Sequence, residues 1–304
     1  MSESNRAVYG AIAANTGIAI TKFIAAGVTG SSAMLSEAIH SVVDTGNGVL
    51  LLIGMRLSRR AATPEHPFGH GKELYFWSLI VAVLIFGLGG GVSAYEGVLH
   101  MLHPEPLRDA MWNYIVLAIA AVFEGASLVV ALRQFAKEKG DVPMWRALRA
   151  SKDPTTYTVL AEDSAAIAGL AAAALGIFAS HTLDMPALDG AASVVIGVIL
   201  CAVAVLLIRE ARGLLIGEGV SRETAAAIRE IALAHACVRE AASPLSMYIG
   251  AEEVLLTLDV RFEPASSAEA ITRAVAEIER DIRKRFPRVK RIYIEASGIA
   301  QCQA

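Results

Sequence analysis

Charged residues are scarce in this sequence. Only 19% of its 304 residues are Asp, Glu, Lys or Arg, whereas 55% are hydrophobic, and most of the charge lies after residue 208 or in short connecting stretches. A long first part with so little charge is typical of a chain that lies in lipid as well as in water. The formal net charge is only -3 and the basic residues form no long arm, which argues against nucleic acid as a partner.

Cysteine is also rare. The three cysteines, Cys201, Cys237 and Cys302, are scattered and form no Cys-x-x-Cys motif, which argues against a disulfide framework and against a thiolate zinc knuckle. The sequence also lacks a His-Glu-x-x-His motif, from which a metalloprotease takes its zinc ligands and its general base. No enzyme activity is therefore predicted.

Long apolar runs dominate what is present. Six of them supply the roughly 20 helical residues that are needed to cross a bilayer. They lie at about residues 7 to 29, 33 to 55, 74 to 99, 113 to 132, 155 to 180 and 187 to 208. Basic residues follow the second, fourth and sixth runs, while the opposite loops carry only Arg108. Because basic loops face the cytoplasm, we expect a multi-pass protein of the cell (inner) membrane with both termini cytoplasmic.

From about residue 215 the pattern becomes that of a soluble α+β domain. The predicted elements are a helix over 222 to 236 and strands over Ser246 to Ile249, Val254 to Phe262 and Val289 to Ile294. Ser266 and Glu269 have the spacing of a capping box that opens a second helix. The expected architecture is a membrane all-α domain of six transmembrane helices over 1–212, followed by a small α+β domain over 213–304.

Several ionisable residues interrupt the apolar runs. Glu37, His40 and Asp44 in the second run are spaced by three and four positions, which places them on one side of a helix. In the fifth run the only charges are Glu162 and Asp163. Because a charged group within lipid costs at least about 2.5 kcal/mol on insertion scales, each needs a partner or a function.

Two interpretations of this set are open. An imidazole with several carboxylates suits divalent zinc, iron(II), manganese(II) or cobalt(II), and the lack of thiolates argues against copper(I). Alternatively, the groups only hydrogen-bond between helices and stabilise the bundle. So many ionisable groups on two helices favour the metal site.

Isolated features within the other runs suggest structural roles. Lys22, Glu96 and Glu124 each lie singly in an apolar run, and for these we expect pairing between helices or snorkelling to the interface. Gly87 and Gly91 are four residues apart in a glycine-rich run, a spacing that predicts close helix packing.

A second histidine cluster lies in the loop between the second and third runs. Glu65, His66 and His70 surround the segment Pro67-Phe68-Gly69. Histidines four residues apart beside a carboxylate can hold a metal ion, although ordinary loop histidines have the same appearance. The loop is therefore a second candidate site.

The segment from Ser36 to Asp44, followed by His66-Pro67-Phe68-Gly69-His70-Gly71-Lys72, resembles the cation diffusion facilitator family of metal transporters. The similarity covers nearly the whole chain. It implies proton-coupled efflux of divalent cations from the cytoplasm by alternating access, with zinc as the leading ion and iron, manganese or cobalt as others. It also implies a ferredoxin-like cytoplasmic domain, a homodimer and no permanently bound cofactor, only the transported cation and protons.

The resemblance further implies which residues bind the ion. The family takes two ligands from the second span and two from the fifth, and the corresponding positions here are His40 and Asp44, then position 159 and Asp163. Val159 stands where a histidine is usual and cannot bind a metal ion. Glu162 is therefore the expected replacement.

The family's loop site corresponds here to His66 and His70, with Glu65 beside them. One alternative function is also consistent with the resemblance, namely a non-transporting metal-binding membrane protein that acts as a partner subunit. Uptake of several metals into vesicles by the purified protein alone would separate the two functions.

Overall fold

The structure, a computed structural model, describes residues 3–106, 109–138, 143 and 151–296. Internal contacts divide the chain into two compact units. The first unit contains Met1–Arg56 and Phe76–Arg212, and the second contains Leu57–Tyr75 and Gly213–Ala304. The loop that connects two apolar runs in sequence thus belongs with the C-terminal residues, a grouping that hydropathy did not indicate.

Helices are the regular secondary structure in the described residues up to Ile216. The elements are α1 (Glu3–Thr29), α2 (Ser32–Ser58), α3 (Glu73–Leu84), a π-helical turn (Ile85–Gly91), α4 (Val92–Leu102), α5 (Ala110–Glu138), α6 (Pro154–Leu183) and α7 (Ala187–Ile216). The predicted loop residue Arg108 lies outside the described residues. The helix α6 begins at an N-cap, since the Asp153 carboxylate accepts a hydrogen bond from the Thr155 N–H and Pro154 follows it directly.

Five helical segments are long and apolar enough to cross a membrane among the residues that the structure describes. They are α2, the continuous segment Glu73–Leu102, α5, α6 and α7. Large apolar side chains point outward from them, as with Val122 at 70% exposure and Leu175 at 67%. Such surfaces are stable against lipid, and the chain is a multi-pass membrane protein. The helix α1 coincides with the first predicted run, and its role as a sixth span remains a prediction.

Glycines on two helical segments allow close backbone contact. A Cβ atom added at Gly97 would lie 2.6 Å from the Gly190 carbonyl oxygen, and one added at Gly190 would lie 2.8 Å from the Gly97 carbonyl oxygen. The segment Glu73–Leu102 therefore packs against α7 through these glycines. The packing predicted at Gly87 and Gly91 was wrong. Among the described residues, a Cβ at Gly87 would meet nothing within 4 Å, and one at Gly91 would meet the Phe86 carbonyl oxygen of its own segment at 3.4 Å. Helix rotation, which the spacing of glycines does not fix, turns Gly87 away from the contact.

The start of α2 is capped by a carboxylate from another helix. Asp189 on α7 is fully buried. Its Oδ2 accepts hydrogen bonds from the Ser32 N–H at 2.6 Å and the Ala33 N–H at 3.3 Å, and its Oδ1 accepts from the Ser31 hydroxyl at 2.7 Å. The first N–H groups of a helix have no partner within the helix and carry a partial positive charge. Asp189 thus satisfies these groups and ties the two helices together.

Replacing Asp189 by Asn should destabilise the protein, because the amide nitrogen cannot accept the bonds that one carboxylate oxygen accepts now. We expect a loss of about 1–3 kcal/mol, measured as a lower midpoint of thermal denaturation of the full chain in detergent. Asp184→Asn is the matched control, since Asp184 is exposed and has a left-handed φ of 53°, which Asn tolerates. Equal midpoints for the two variants would contradict this role of Asp189.

The second unit contains a four-stranded sheet covered by two helices. Its elements are α8 (Arg222–Leu233), β1 (Val238–Ala241), β2 (Leu245–Gly250), β3 (Glu253–Phe262), α9 (Ala268–Arg285) and β4 (Val289–Glu295). Strand β3 pairs antiparallel with β1 and β2 and parallel with β4. Ile228, Leu256 and Ile278 are fully buried in the core between sheet and helices. The predicted strands at β2, β3 and β4 are confirmed, while β1 had no prediction.

The order of these elements differs in one respect from a ferredoxin-like fold. That fold has the order β-α-β-β-α-β, and β1 and β2 act here as two halves of one strand along β3, as their registers show. Counted in this way, the order is α-β-β-α-β. Within described residues 151–296 no strand precedes α8 in this unit, so the small α/β domain shows the ferredoxin-like order without its first strand.

The N-cap of α9 is Ser267, and the predicted capping box of Ser266 with Glu269 was wrong by one residue. The Ser267 hydroxyl accepts a hydrogen bond from the Ala270 N–H at 3.2 Å. Glu269 then lies too near the helix start to reach back to the cap, and it forms an ion pair with Arg273 at 3.1 Å. Two adjacent serines gave the sequence two possible starts, and only the backbone conformation distinguishes them.

Ser267→Ala should loosen the first turn of α9. Loss of an N-cap costs about 1 kcal/mol, which corresponds to roughly fivefold more frequent opening. Hydrogen exchange of peptides that span the start of α9, measured by mass spectrometry on the full chain, should accelerate accordingly. Ser266→Ala is the control and should leave exchange unchanged. Faster exchange in Ser266→Ala but not in Ser267→Ala would contradict Ser267 as the N-cap and support the capping box predicted from the sequence.

Candidate functional site

A polar face on α2 carries His40 and Asp44. His40 is only 1% exposed, and its Nε2 lies 3.3 Å from Asp44 Oδ2. Among the described residues, neither His40 nitrogen has a hydrogen-bond partner of good geometry, and Asp44 Oδ1 has none either. Buried polar atoms without partners are unfavourable, so these atoms are available to bind a ligand.

Two acidic residues on α6 point toward different neighbours. Glu162 Oε1 accepts a hydrogen bond from Asn47 Nδ2 on α2 at 2.8 Å. Asp163 Oδ2 accepts one from the Ser127 hydroxyl on α5 at 2.9 Å. Consecutive residues of a helix point about 100° apart, which explains the divergence. Each carboxylate is therefore held by a neutral donor from an adjacent helix.

The four predicted metal ligands lie near each other on two neighbouring helices. Asp44 lies within electrostatic range of Glu162, and Asp163 lies within electrostatic range of Asp44. The Asn47–Glu162 hydrogen bond joins α2 to α6. Within the part of the chain that the structure describes, however, no three His, Cys, Asp or Glu side chains are grouped closely enough to hold one ion. The structure thus brings His40 and Asp44 into contact and leaves the α6 carboxylates turned toward other donors.

Lys22 on α1 forms a separate buried cluster beside this face. Its Nζ lies 3.0 Å from Glu37 Oε2 and 3.8 Å from Glu124 Oε1, and it donates a hydrogen bond to the Ser41 hydroxyl at 2.8 Å. Lys22 and Glu37 are fully buried. Pairing between helices, which was one of the two roles expected for Lys22 and Glu124, is confirmed, and burial excludes snorkelling for Lys22.

The loop histidines lie side by side in the second unit. The ring centroids of His66 and His70 are 4.6 Å apart, with the planes inclined by 34°. A tight turn places them there, because the His66 N–H donates to the Thr63 carbonyl at 3.1 Å and the Thr63 N–H donates back to the His66 carbonyl at 3.1 Å. His70 Nδ1 lies 3.2 Å from the Ala61 carbonyl oxygen, and Glu65 is exposed in the same turn.

The rest of this loop packs against the sheet. The Arg291 guanidinium lies 5.4 Å from the centroid of the Phe68 ring and donates to Glu253 Oε1 at 2.8 Å. The backbone of Gly71 approaches the Ile249 carbonyl so closely that an added Cβ would collide with it. These contacts give the histidine loop a defined position within the second unit.

A family model described as the cation efflux transmembrane domain matches residues 8–216. This match covers more than half of the chain. The chain belongs to the cation efflux family, whose members are the cation diffusion facilitators. The resemblance noted from the sequence is therefore confirmed.

Three relatives illustrate the range of the cation efflux family. The human proton-coupled zinc antiporter SLC30A9, mitochondrial, is 35% identical over 259 residues, which are 84% of this chain and 45% of the relative. Metal tolerance protein C4 of Arabidopsis thaliana is 37% identical over 71% of this chain and 48% of its own. Magnetosome protein MamM of Paramagnetospirillum magneticum is 29% identical over 59% of this chain and 52% of its own.

The chain spans about half the length of these curated relatives. None of the three is named as an enzyme, in agreement with the expectation from the sequence. The similarity identifies the family.

Several polar residues of this cation efflux protein had no prediction. Asn47 follows Asp44 by three positions and Ser127 follows Glu124 by three positions, so both lie on helix faces that already carried an acidic residue. That spacing was the available signal. Burying a neutral polar residue in a membrane helix costs less than burying a charged one, so such a residue in an apolar run does not by itself indicate a functional site.

Proposed function

We propose that this cation efflux protein moves divalent metal cations out of the cytoplasm in exchange for protons. The observation that supports this most directly is the pair of His40 and Asp44, in which both His40 nitrogens and Asp44 Oδ1 are buried and lack hydrogen-bond partners among the described residues. An imidazole and a carboxylate that serve only to stabilise helices would satisfy each other with good geometry. Left unsatisfied in a membrane helix, they fit a transient ligand.

The transported ion in this proposal is bound by His40, Asp44, Glu162 and Asp163. Imidazole nitrogen and carboxylate oxygen together suit zinc, and also iron(II), manganese(II) and cobalt(II). Zinc is the leading candidate because the human relative is named as a zinc antiporter. Val159 is one helical turn before Asp163, and its side chain offers no donor, so the second carboxylate from α6 has to be Glu162.

Ion binding requires the α6 carboxylates to turn away from their present partners. Glu162 would give up its bond from Asn47, and Asp163 would give up its bond from Ser127. Each exchange replaces one neutral hydrogen bond by a bond to a divalent cation, which favours the rearrangement. The cation would complete the coordination once both side chains have turned toward it.

Protons and the metal ion compete for the same atoms. A metal ligand must be deprotonated, so a protonated site releases its ion and a metal-loaded site excludes protons. A histidine ligand places this competition near physiological pH. Movement of the helices that exposes the site to each side in turn would couple efflux of one ion to entry of protons.

Further parts of the proposal follow from the same family. With α1 as an additional span the chain has six transmembrane helices, and its basic loops favour cytoplasmic termini. A homodimer and a location in the cell (inner) membrane belong to the proposal through the family resemblance. The loop histidines His66 and His70 form a second metal site, for which their adjacent rings are the supporting geometry. The domain division at residues 212 and 213 separates transport from the soluble region.

Purified protein in proteoliposomes tests the proposal. Zinc uptake driven by an imposed pH gradient is expected for the unmodified chain, and Asp44→Asn and Asp163→Asn should each reduce it at least about tenfold, because each variant removes a ligand. Val159→Ala is the matched control on α6 and should retain uptake. Undiminished zinc/proton exchange in both Asn variants would overturn the assignment of the site.

The same vesicles separate transport from the alternative function. A non-transporting metal-binding partner subunit would bind zinc in equilibrium dialysis and show no uptake under any pH gradient. Zinc binding that is lost in Asp44→Asn, combined with absent uptake, would establish that alternative. Uptake by the purified chain alone excludes it.

Removal of the loop histidines should lower the number of bound ions. In the full chain, the double variant His66→Ala and His70→Ala should lose about one zinc ion per chain in equilibrium dialysis. The control removes two exposed histidines elsewhere, His103→Ala and His181→Ala, and should keep the original stoichiometry. An unaltered stoichiometry in the loop variant would show that the adjacent rings hold no ion.

A further inference from the structure

The cluster around Lys22 has no role in the proposed transport cycle, although it lies next to the residues that do. An ammonium group has three donors and no acceptor. Two of these donors are used by Glu37 Oε2 and the Ser41 hydroxyl, at 3.0 and 2.8 Å, and Glu124 Oε1 lies within ion-pair distance at 3.8 Å. One buried cation thus compensates a fully buried carboxylate on α2 and a partly buried one on α5.

Glu37 extends into the contact between α2 and α6, where the proposed site lies. A Cβ atom added at Gly169 on α6 would collide with Glu37 Oε1. That oxygen has no hydrogen-bond partner among the described residues, while the other oxygen is bound to Lys22. Glu37 therefore offers a free carboxylate oxygen at the same helix interface as His40, and only its second oxygen is occupied.

The charges of this cluster reach the site. Glu37, Glu124 and Lys22 all act electrostatically on both His40 and Asp44. Without the ammonium, the fully buried Glu37 and the partly buried Glu124 would have no compensating charge, and such charges are strongly unfavourable until a cation binds them. A divalent ion is the available replacement.

We propose that Lys22 is a specificity-determining residue for the transported ion. Its ammonium group binds Glu37 Oε2 and holds that side chain in place, with Glu124 as a second counter-charge, and so keeps the Glu37 carboxylate out of the metal coordination. The site then remains an imidazole–carboxylate site that suits zinc, whereas further carboxylates favour oxygen-preferring ions such as manganese(II). This inference rests on the proposed function, because it assigns Lys22 a role in the selectivity of that same site.

The test compares manganese(II) and zinc affinities in the full chain by equilibrium dialysis, together with uptake in proteoliposomes. In Lys22→Met the ratio of manganese to zinc affinity should rise at least about tenfold. Lys22→Arg retains the positive charge and should keep the ratio of the unmodified chain. An unchanged ratio in folded Lys22→Met would overturn the proposal.

Two double variants keep the test decisive where Lys22→Met does not fold. Lys22→Met with Glu124→Gln leaves Glu37 free to bind the ion and should show the raised manganese ratio. Lys22→Met with Glu37→Gln removes that carboxylate and should return the ratio close to its original value. Each variant removes one cation and one anion from the Lys22 cluster. A merely structural role of Lys22 therefore predicts equal ratios in the two, and equal ratios would overturn the proposal.

The outcomes also separate this inference from the proposed function. Zinc binding and uptake by the unmodified chain, with equal ratios in the two double variants, would leave the transport proposal intact and eliminate the role of Lys22. Failure of the unmodified, folded chain to bind zinc at all would overturn both. The proposed role of Lys22 is supported if the manganese-to-zinc affinity ratio is raised in Lys22→Met with Glu124→Gln, where Glu37 is present, and stays at its original value in Lys22→Met with Glu37→Gln.

Discussion

The transmembrane unit depends on one constraint, namely that every ionisable group between its helices has to be compensated in surroundings that contain little water. Lys22, Glu37 and Glu124 meet this constraint by pairing with one another, and Asp189 meets it by accepting bonds from the start of α2. Glu162 and Asp163 rely on single neutral donors. His40 and Asp44 have the fewest hydrogen-bond and ion-pair partners of these groups. A bound cation would therefore stabilise the helices most at their position.

Compensation of this kind also explains why the helices associate as they do. Apolar side chains give little preference for one helix neighbour over another in lipid, so polar contacts and close glycine packing select the arrangement. The Asn47–Glu162 bond joins α2 to α6, the Ser127–Asp163 bond joins α5 to α6, and the glycine contact joins Glu73–Leu102 to α7. The candidate ligands are thus attached to the same interactions that hold the bundle together.

Sequence patterns predicted the positions of the elements more accurately than their contacts. Runs of about 20 apolar residues have few alternatives to a spanning helix, and the alternation from Val254 to Phe262 left β3 with one buried face. The pairing of Lys22 and the direction of Glu162 depend on which helices are neighbours and on how each is rotated. Neither property is encoded locally. The same limitation explains the error at Gly87, whose spacing is correct for packing and whose orientation is not.

The candidate ligands were nevertheless predictable as a set, because each stands out against an apolar background. What the sequence could not indicate is that Glu162 and Asp163 are held by different helices. That outcome depends on the positions of Asn47 and Ser127, two neutral residues whose importance appears only when the helices are packed. Short-range motifs were subject to a smaller error of the same type, as with the choice between Ser266 and Ser267 at the start of α9.

The carboxylate of Asp189 gives α2 a fixed end, since it holds the first N–H groups of that helix. At 1.5 Å per residue, His40 is about 12 Å from the fixed end and Asp44 about 18 Å. If α2 tilts about this fixed end, the residues furthest from it are displaced most. A tilt of roughly 10° displaces Asp44 by about 3 Å and His40 by about 2 Å. A small tilt of α2 would therefore change the distances between its ligands, His40 and Asp44, and the carboxylates on α6 by an amount comparable to the length of a coordination bond.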